Sequence, residues 1–127
     1  MKDEKSIAID FDGVIHSFTS GWQGPRVISD PPTNGAILWL KEMIALYDVQ
    51  IYSARNYYWG GKRAIKKWLW QWSLTDAEIS KLSFPKIKPI AKVIIDDRAI
   101  CFRGVFPDPK TLEFFVPWHG KSIFGDK

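Results

Sequence analysis

Two short apolar runs in this chain each lead into a pair of aspartates. The first is Ile7-Ala8-Ile9-Asp10-Phe11-Asp12-Gly13 and the second is Val93-Ile94-Ile95-Asp96-Asp97. A Val/Ile run of this length, bounded by polar residues, predicts a strand buried on both faces, as in a parallel sheet. Open α/β sheets bind ligands at the carboxyl ends of their strands. Four carboxylates are therefore expected to converge on one sheet edge, where they repel one another unless a positive charge sits among them. A hard divalent cation with oxygen ligands, most simply Mg²⁺, is the expected counter-ion.

The remaining chain supplies the other layers of such a fold. Val49 to Ser53 is a further run of strand type. Ile37, Leu40, Ile44 and Tyr47 follow helical spacing, with Asn34 as a candidate cap, and Ile65, Trp68, Leu69 and Trp72 mark a second helix opening near Gly61. Thr75-x-x-Glu78 is a capping-box pattern opening a short helix to about Leu82. Residues 102–106 and 112–116 read as short strands around a Pro107-Asp108-Pro109 turn. Residues 14–34, rich in Gly, Pro, Ser and Thr, read as a loop or hairpin. The order predicts an α/β fold, one mostly parallel sheet flanked by helices, in a single domain over residues 1–127.

Composition narrows the setting. No apolar run approaches the length of a membrane span, and Met1-Lys2-Asp3-Glu4-Lys5 leads into a strand without the apolar segment of a secretory signal. A lone Cys101 excludes an intramolecular disulfide and fits a reducing, cytoplasmic setting; it reads as a small buried hydrophobe near a strand. The net charge is +4 with acids gathered at the proposed site, so the remaining surface is basic and favours a phosphorylated or polyanionic partner. Lys62-Arg63 and Lys66-Lys67 form the closest basic cluster, which on a helix reads first as a solvated face.

Asp10 and Asp12 are two apart, so in a continuing strand they face the same way. One can attack while the other handles a proton, provided their surroundings separate their pKa values. Gly13 permits a sharp turn or a close approach to a ligand. Adjacent side chains diverge, so Asp96 is expected to hold the metal and Asp97 to support it, directly or through water. Ser53 ends the middle strand, where a hydroxyl and free N–H groups can hold a phosphoryl oxygen. Lys86 or Lys88 can bring an ammonium to the carboxylates. His16, Trp22, Arg26, Arg55, Tyr57, Tyr58 and Trp59 are candidate substrate contacts, and the aromatic ones can stack on a base.

Taken in order, Asp10-Phe11-Asp12-Gly13, Ser53, a lysine and Asp96-Asp97 resemble the four motifs of the haloacid dehalogenase (HAD) superfamily, over residues 6 to about 104. The resemblance extends to its small phage and bacterial hydrolases, whose Ile-Asp-Asp-Arg-Ala and Lys-Pro stretches favour Lys88 over Lys86. It implies a Rossmann-like core and a phosphatase acting through an aspartyl-phosphate. Asp10 is then the nucleophile and Asp12 the acid that protonates the leaving oxygen and later activates water. Asp10, the Asp12 backbone carbonyl and Asp96 would hold Mg²⁺, while Ser53 and Lys88 grip the phosphoryl group. The intervals 12–53 and 53–88 leave no room for a full cap domain, so a nearly capless enzyme with a flap within 14–34 is expected. Capless relatives tend to take large or polymeric phosphoesters, so a phosphorylated small molecule and a nucleic-acid end are both candidate substrates. Two other readings share these residues: a non-catalytic phosphate-binding module on the same scaffold, and a phospho-acceptor receiver domain. The receiver places an adjacent acidic pair first, and here the adjacent pair comes last.

Overall fold

The computed structural model describes residues 2–121, with the side chains of Lys2 and Asp3 left aside. Its centre is an open sheet of three parallel strands: β1 (Ser6–Asp10) lies between β2 (Asp48–Tyr52) and β3 (Val93–Ile95). Ile7 and Ile9 of β1 stand opposite Val49 and Ile51 on one side and Val93 and Ile95 on the other. Ile7, Ala8 and Ile9 are all buried, as a run without polar alternation requires.

Helix α1 (Ala36–Leu46) joins β1 to β2 and buries Ala36, Leu40 and Ile44. Helix α2 (Gly61–Gln71) follows a single 3-10 turn at Ala54–Tyr57 and buries Ile65, Trp68 and Leu69. The short α3 (Asp76–Ser80) opens with the Thr75–Glu78 capping box and leads back toward β3. These apolar faces and the buried side of the sheet form one core cluster. The route from β2 to β3 passes over β1, so the chain reverses direction across the sheet there. That is the kind of position where a crevice opens beyond the strand ends.

Several sequence expectations are corrected. Gly35, in a left-handed conformation at φ 81°, precedes α1 in place of a capping Asn34 side chain. Helix α3 stops at Ser80 rather than near Leu82. Residues 102–106 form no strand, and 109–113 form a helix, α4 (Pro109–Glu113). Asp108 caps it by accepting from the Lys110 N–H, with Pro109 at the first helical position, so the Pro-Asp-Pro turn is a helix start. An apolar stretch becomes a strand only beside a partner. Val105, Phe106, Phe114 and Val116 stay exposed instead. Cys101, expected inside, is exposed as well. Among the described residues no helix is long and apolar enough to cross a membrane.

Candidate active site

β1 ends at Asp10, and the chain turns at once. The Phe11 carbonyl accepts from the N–H groups of Val14, Ile15 and His16, and Asp10 Oδ1 accepts from the Phe11 N–H. The strand therefore does not continue to Asp12, so strand alternation does not align the two carboxylates, although both line one cleft. Asp10 points to the end of β3. There, oxygens of Asp10, Asp96 and Asp97 lie within 4.8 Å of one another. β3 itself ends at Ile95, so Asp96 and Asp97 sit in the following turn, where strand alternation no longer separates them. Asp97, expected behind Asp96, is a full member of the cluster.

Asp12 has other partners. Arg55 Nε donates to its Oδ2 and Nη2 to its Oδ1, both at 2.9 Å, forming a bidentate pair. Arg55 is 0 % exposed, and its Nη1 donates to the carbonyls of Gly24, Pro25 and Val27. Its guanidinium lies 4.8 Å from the Trp22 ring centre. Arg55 thus fastens the 22–27 loop to Asp12, and its donors are spent inside the protein rather than offered to a substrate. His16 is buried too, with Nδ1 2.8 Å from Asp12 Oδ1. The Asp30 N–H points at His16 Nε2, which must therefore accept; this assigns the proton to Nδ1, donating to Asp12. Asp30 is held in turn by Ser20, and its carbonyl accepts from the Trp68 indole.

The tail, left open by the sequence, returns to the site. Trp118 Nε1 donates to the Gly13 carbonyl, and His119 Nε2 donates to Asp97 Oδ2 while its Nδ1 accepts from the Lys121 N–H. Gly13 has φ 85°, and a Cβ there would collide with Asp97 and His119. Gly61 is needed for a similar reason: a Cβ on it would run into the Arg55 carbonyl, so α2 could not begin so close to the turn behind Ser53.

A cleft of about 220 Å³ is lined by Asp10, Asp12, Asp96, Ser53, Tyr52, Ala54, Trp22, Tyr57 and Arg98. Ser53 Oγ accepts from the Arg55 N–H, leaving its own O–H to donate into the cleft. Among the described residues Arg98 is the only cation in this lining, with its Nε 4.0 Å from Asp97 Oδ2 and its backbone N–H donating to Asp96 Oδ1. Neither Lys86 nor Lys88 lines the cleft; both are exposed. The Tyr58 ring lies tilted at 49° to Trp22, with 6.4 Å between the ring centres. Arg26 and Trp59 line a separate neighbouring groove.

The electrostatics follow from this division. Burial raises the Asp10 pKa well above the usual carboxylate range, helped by contact with Asp97 and by the charges of Asp96, Asp97 and Asp12. Burial also raises Asp96, against the opposing Arg98 N–H. Burial pushes Asp97 up as well, but hydrogen bonds from Asp10 and His119 outweigh it and hold Asp97 low. With Asp10 ionised, Asp97 Oδ1 is buried without a hydrogen-bond donor among the described residues. A proton held on Asp10 or a bound cation would satisfy it, and an all-carboxylate donor set suits a hard cation.

The sequence offered Arg98 only as a neutralising neighbour of the acidic pair, and it placed none of Asp30, Trp118 and His119 at the site. Arg98 follows the acidic pair directly and was readable as its neighbour; the other three meet the site only through tertiary packing. The molecule is thus a mixed α/β protein with an acidic cleft at the carboxyl edge of a small parallel sheet. No family model, curated protein or solved structure matches the chain.

Proposed function

We propose that this protein is a Mg²⁺-dependent phosphomonoesterase of HAD type that works through an aspartyl-phosphate on Asp10. One observation carries the reading: Asp10, Asp96 and Asp97 converge, with a buried carboxylate oxygen left without a donor, on a cleft that also holds Ser53. The order of strands supports it, since the strand bearing Asp10 lies between the strand leading to Ser53 and the one leading to Asp96.

Asp10, Asp96 and Asp97 would hold the metal, which supplies the charge neutralisation a carboxylate needs to approach a phosphate dianion. Ser53 donates to a phosphoryl oxygen, and Arg98 supplies the cation assigned at first to a lysine. An Asp10 oxygen attacks phosphorus as the bond to the leaving oxygen breaks. The leaving oxygen takes its proton from Asp12, which must first take one up from solvent water because, as the bidentate partner of Arg55, it holds none at rest. Water then attacks the aspartyl-phosphate and gives a proton back to Asp12, releasing phosphate and free Asp10. For both transfers Asp12 must turn one oxygen away from Arg55, with His16 keeping hold of the other.

The grip of Arg55 on Asp12 favours a second reading, a phosphate-binding module without turnover. Phosphate release from small phosphomonoesters, nucleotides and phosphorylated oligonucleotides, measured with Mg²⁺ and with EDTA, separates the two. Metal-dependent release that disappears in Asp10→Asn is the expected result. Equal release by that variant would overturn the mechanism. Phosphate binding without release from any substrate would establish the module.

A further inference from the structure

A groove of about 680 Å³ lies beside the cleft and is lined by Arg26, Trp59, Gly60, Lys62, Arg63, Ala64, Lys66 and Lys67. It holds five cations and no acid. Among the described residues none of the five has an acidic partner within ion-pair distance. The first turn of α2 carries no acid either. A solvated helix face usually mixes charges of both signs. Here the like charges gather around a concave surface instead.

The groove also holds an aromatic platform. Trp59 is 85 % exposed, and the Arg26 guanidinium lies 5.6 Å from its ring centre. Lys62 and Lys66 rest their ammonium groups over the Phe84 ring, and among the described residues no carboxylate neutralises any of these cations beside the exposed indole. The 53–60 segment joins the two sites, giving Ser53, Ala54 and Tyr57 to the carboxylate cleft and Trp59 and Gly60 to the groove. Beyond it, Arg26, Ala64 and Lys67 also line a smaller cleft running to Gln71. The basic surface is therefore a track leading away from the carboxylates rather than a single anion pocket.

We infer that this track binds a single-stranded nucleic acid, its phosphates along Lys62, Arg63, Lys66 and Lys67 and one base stacked on Trp59. Charge complementarity selects a polyanion, and the exposed Trp59 indole within the groove selects one with unpaired bases. A duplex has no free base for the ring, and a membrane meets a convex surface better than a groove. That the strand delivers a phosphorylated end to Asp10 rests on the phosphatase reading above. Binding by the groove does not.

Fluorescence anisotropy with a labelled, terminally phosphorylated single-stranded oligonucleotide, in EDTA, tests the inference without turnover. Arg63→Glu/Lys67→Glu should weaken binding at least about tenfold and flatten the dependence of log affinity on log salt by about 1.4, for two lost phosphate contacts. The milder Arg63→Gln/Lys67→Gln should change both in the same direction, guarding against an effect of misfolding. Trp59→Ala should weaken binding about fivefold to a hundredfold while leaving the salt dependence unchanged. No binding by the wild type, or binding unaltered in all three variants, would overturn the inference. So would equal binding of duplex or of phosphatidylserine vesicles with no effect of Trp59→Ala. Mg²⁺-dependent release of phosphate from p-nitrophenyl phosphate reports separately on the cleft. Oligonucleotide binding without such release would keep the groove and remove the phosphatase; release without binding would do the reverse.

Discussion

Asp10 and Asp12 stand two residues apart, yet their carboxylates meet opposite surroundings. Asp12 is charge-balanced within the protein, clasped by Arg55 and His16 under a closed loop. Asp10 is crowded by two further acids, and one oxygen among them has no donor. One half of the cleft is finished by the fold itself, and the other is left for something from solution. The first half holds the structure together, while the second stores electrostatic repulsion that a ligand can relieve.

Replacing each half should therefore fail differently. Asp10→Asn should lower turnover by about a thousandfold or more, since nucleophile and supporting groups act as a unit, with the circular dichroism spectrum unchanged. Arg55→Met should instead act on stability, by about 3–5 kcal/mol in urea unfolding, because it strands the Asp12 charge in the interior. Adding Asp12→Asn to it should recover a good part of that loss. If Arg55→Met were neutral, the two halves would not differ as described.

Smaller effects sharpen the contrast. Mg²⁺ at a hundred times its Kd should stabilise the wild type by about 2.7 kcal/mol, and Asp97→Asn should abolish most of that gain in a thermal melt. His119→Ala, which frees Asp97 to swing, should weaken Mg²⁺ about tenfold by calorimetric titration. The smallest expected effect is on pH dependence. With its pKa raised in the fold, Asp10 keeps a proton that the unfolded chain has already lost. Metal-free stability should therefore fall as pH rises from the ordinary carboxylate range through that raised pKa. Asp97, held low, acts oppositely and only below the ordinary range, where stability is lost as pH falls. Saturating Mg²⁺ should remove the Asp10 slope, and a denaturation series against pH with and without metal would show it.

The strands and helices of the core were legible because each is written locally. Ile7 to Ile9 and Val93 to Ile95 are unbroken apolar runs, Val49-Gln50-Ile51 alternates as a strand does, and the spacing of Ile65, Trp68 and Leu69 is that of a helix. Their meeting at one edge followed from parallel topology. Residues 102–106 and 112–116 also carry large apolar side chains, but a strand needs a neighbour and none adjoins them among the described residues. The partners of Asp12 were not legible. Arg55 lies 43 residues away, and nothing local says that a loop arginine will be buried. His16 was read as a flap contact and is instead packed between Phe11 and Trp68, at ring distances of 5.6 Å each. The relative rank of Asp96 and Asp97 depended on where β3 stops, the feature least visible in sequence.

That strand has a kinetic consequence. β3 is three residues long, sits at the sheet edge, and pairs Val93 with Ile7 from the opposite end of the chain. Closing so long a loop for so few hydrogen bonds makes it a late event in folding. The carboxylates on β1 therefore stay apart from those after β3 until the rest of the core is in place, and their mutual repulsion is deferred past the folding barrier. A cation bound by the cluster should then slow unfolding and leave the refolding rate nearly unchanged, a split that stopped-flow denaturant jumps with and without Mg²⁺ would read directly.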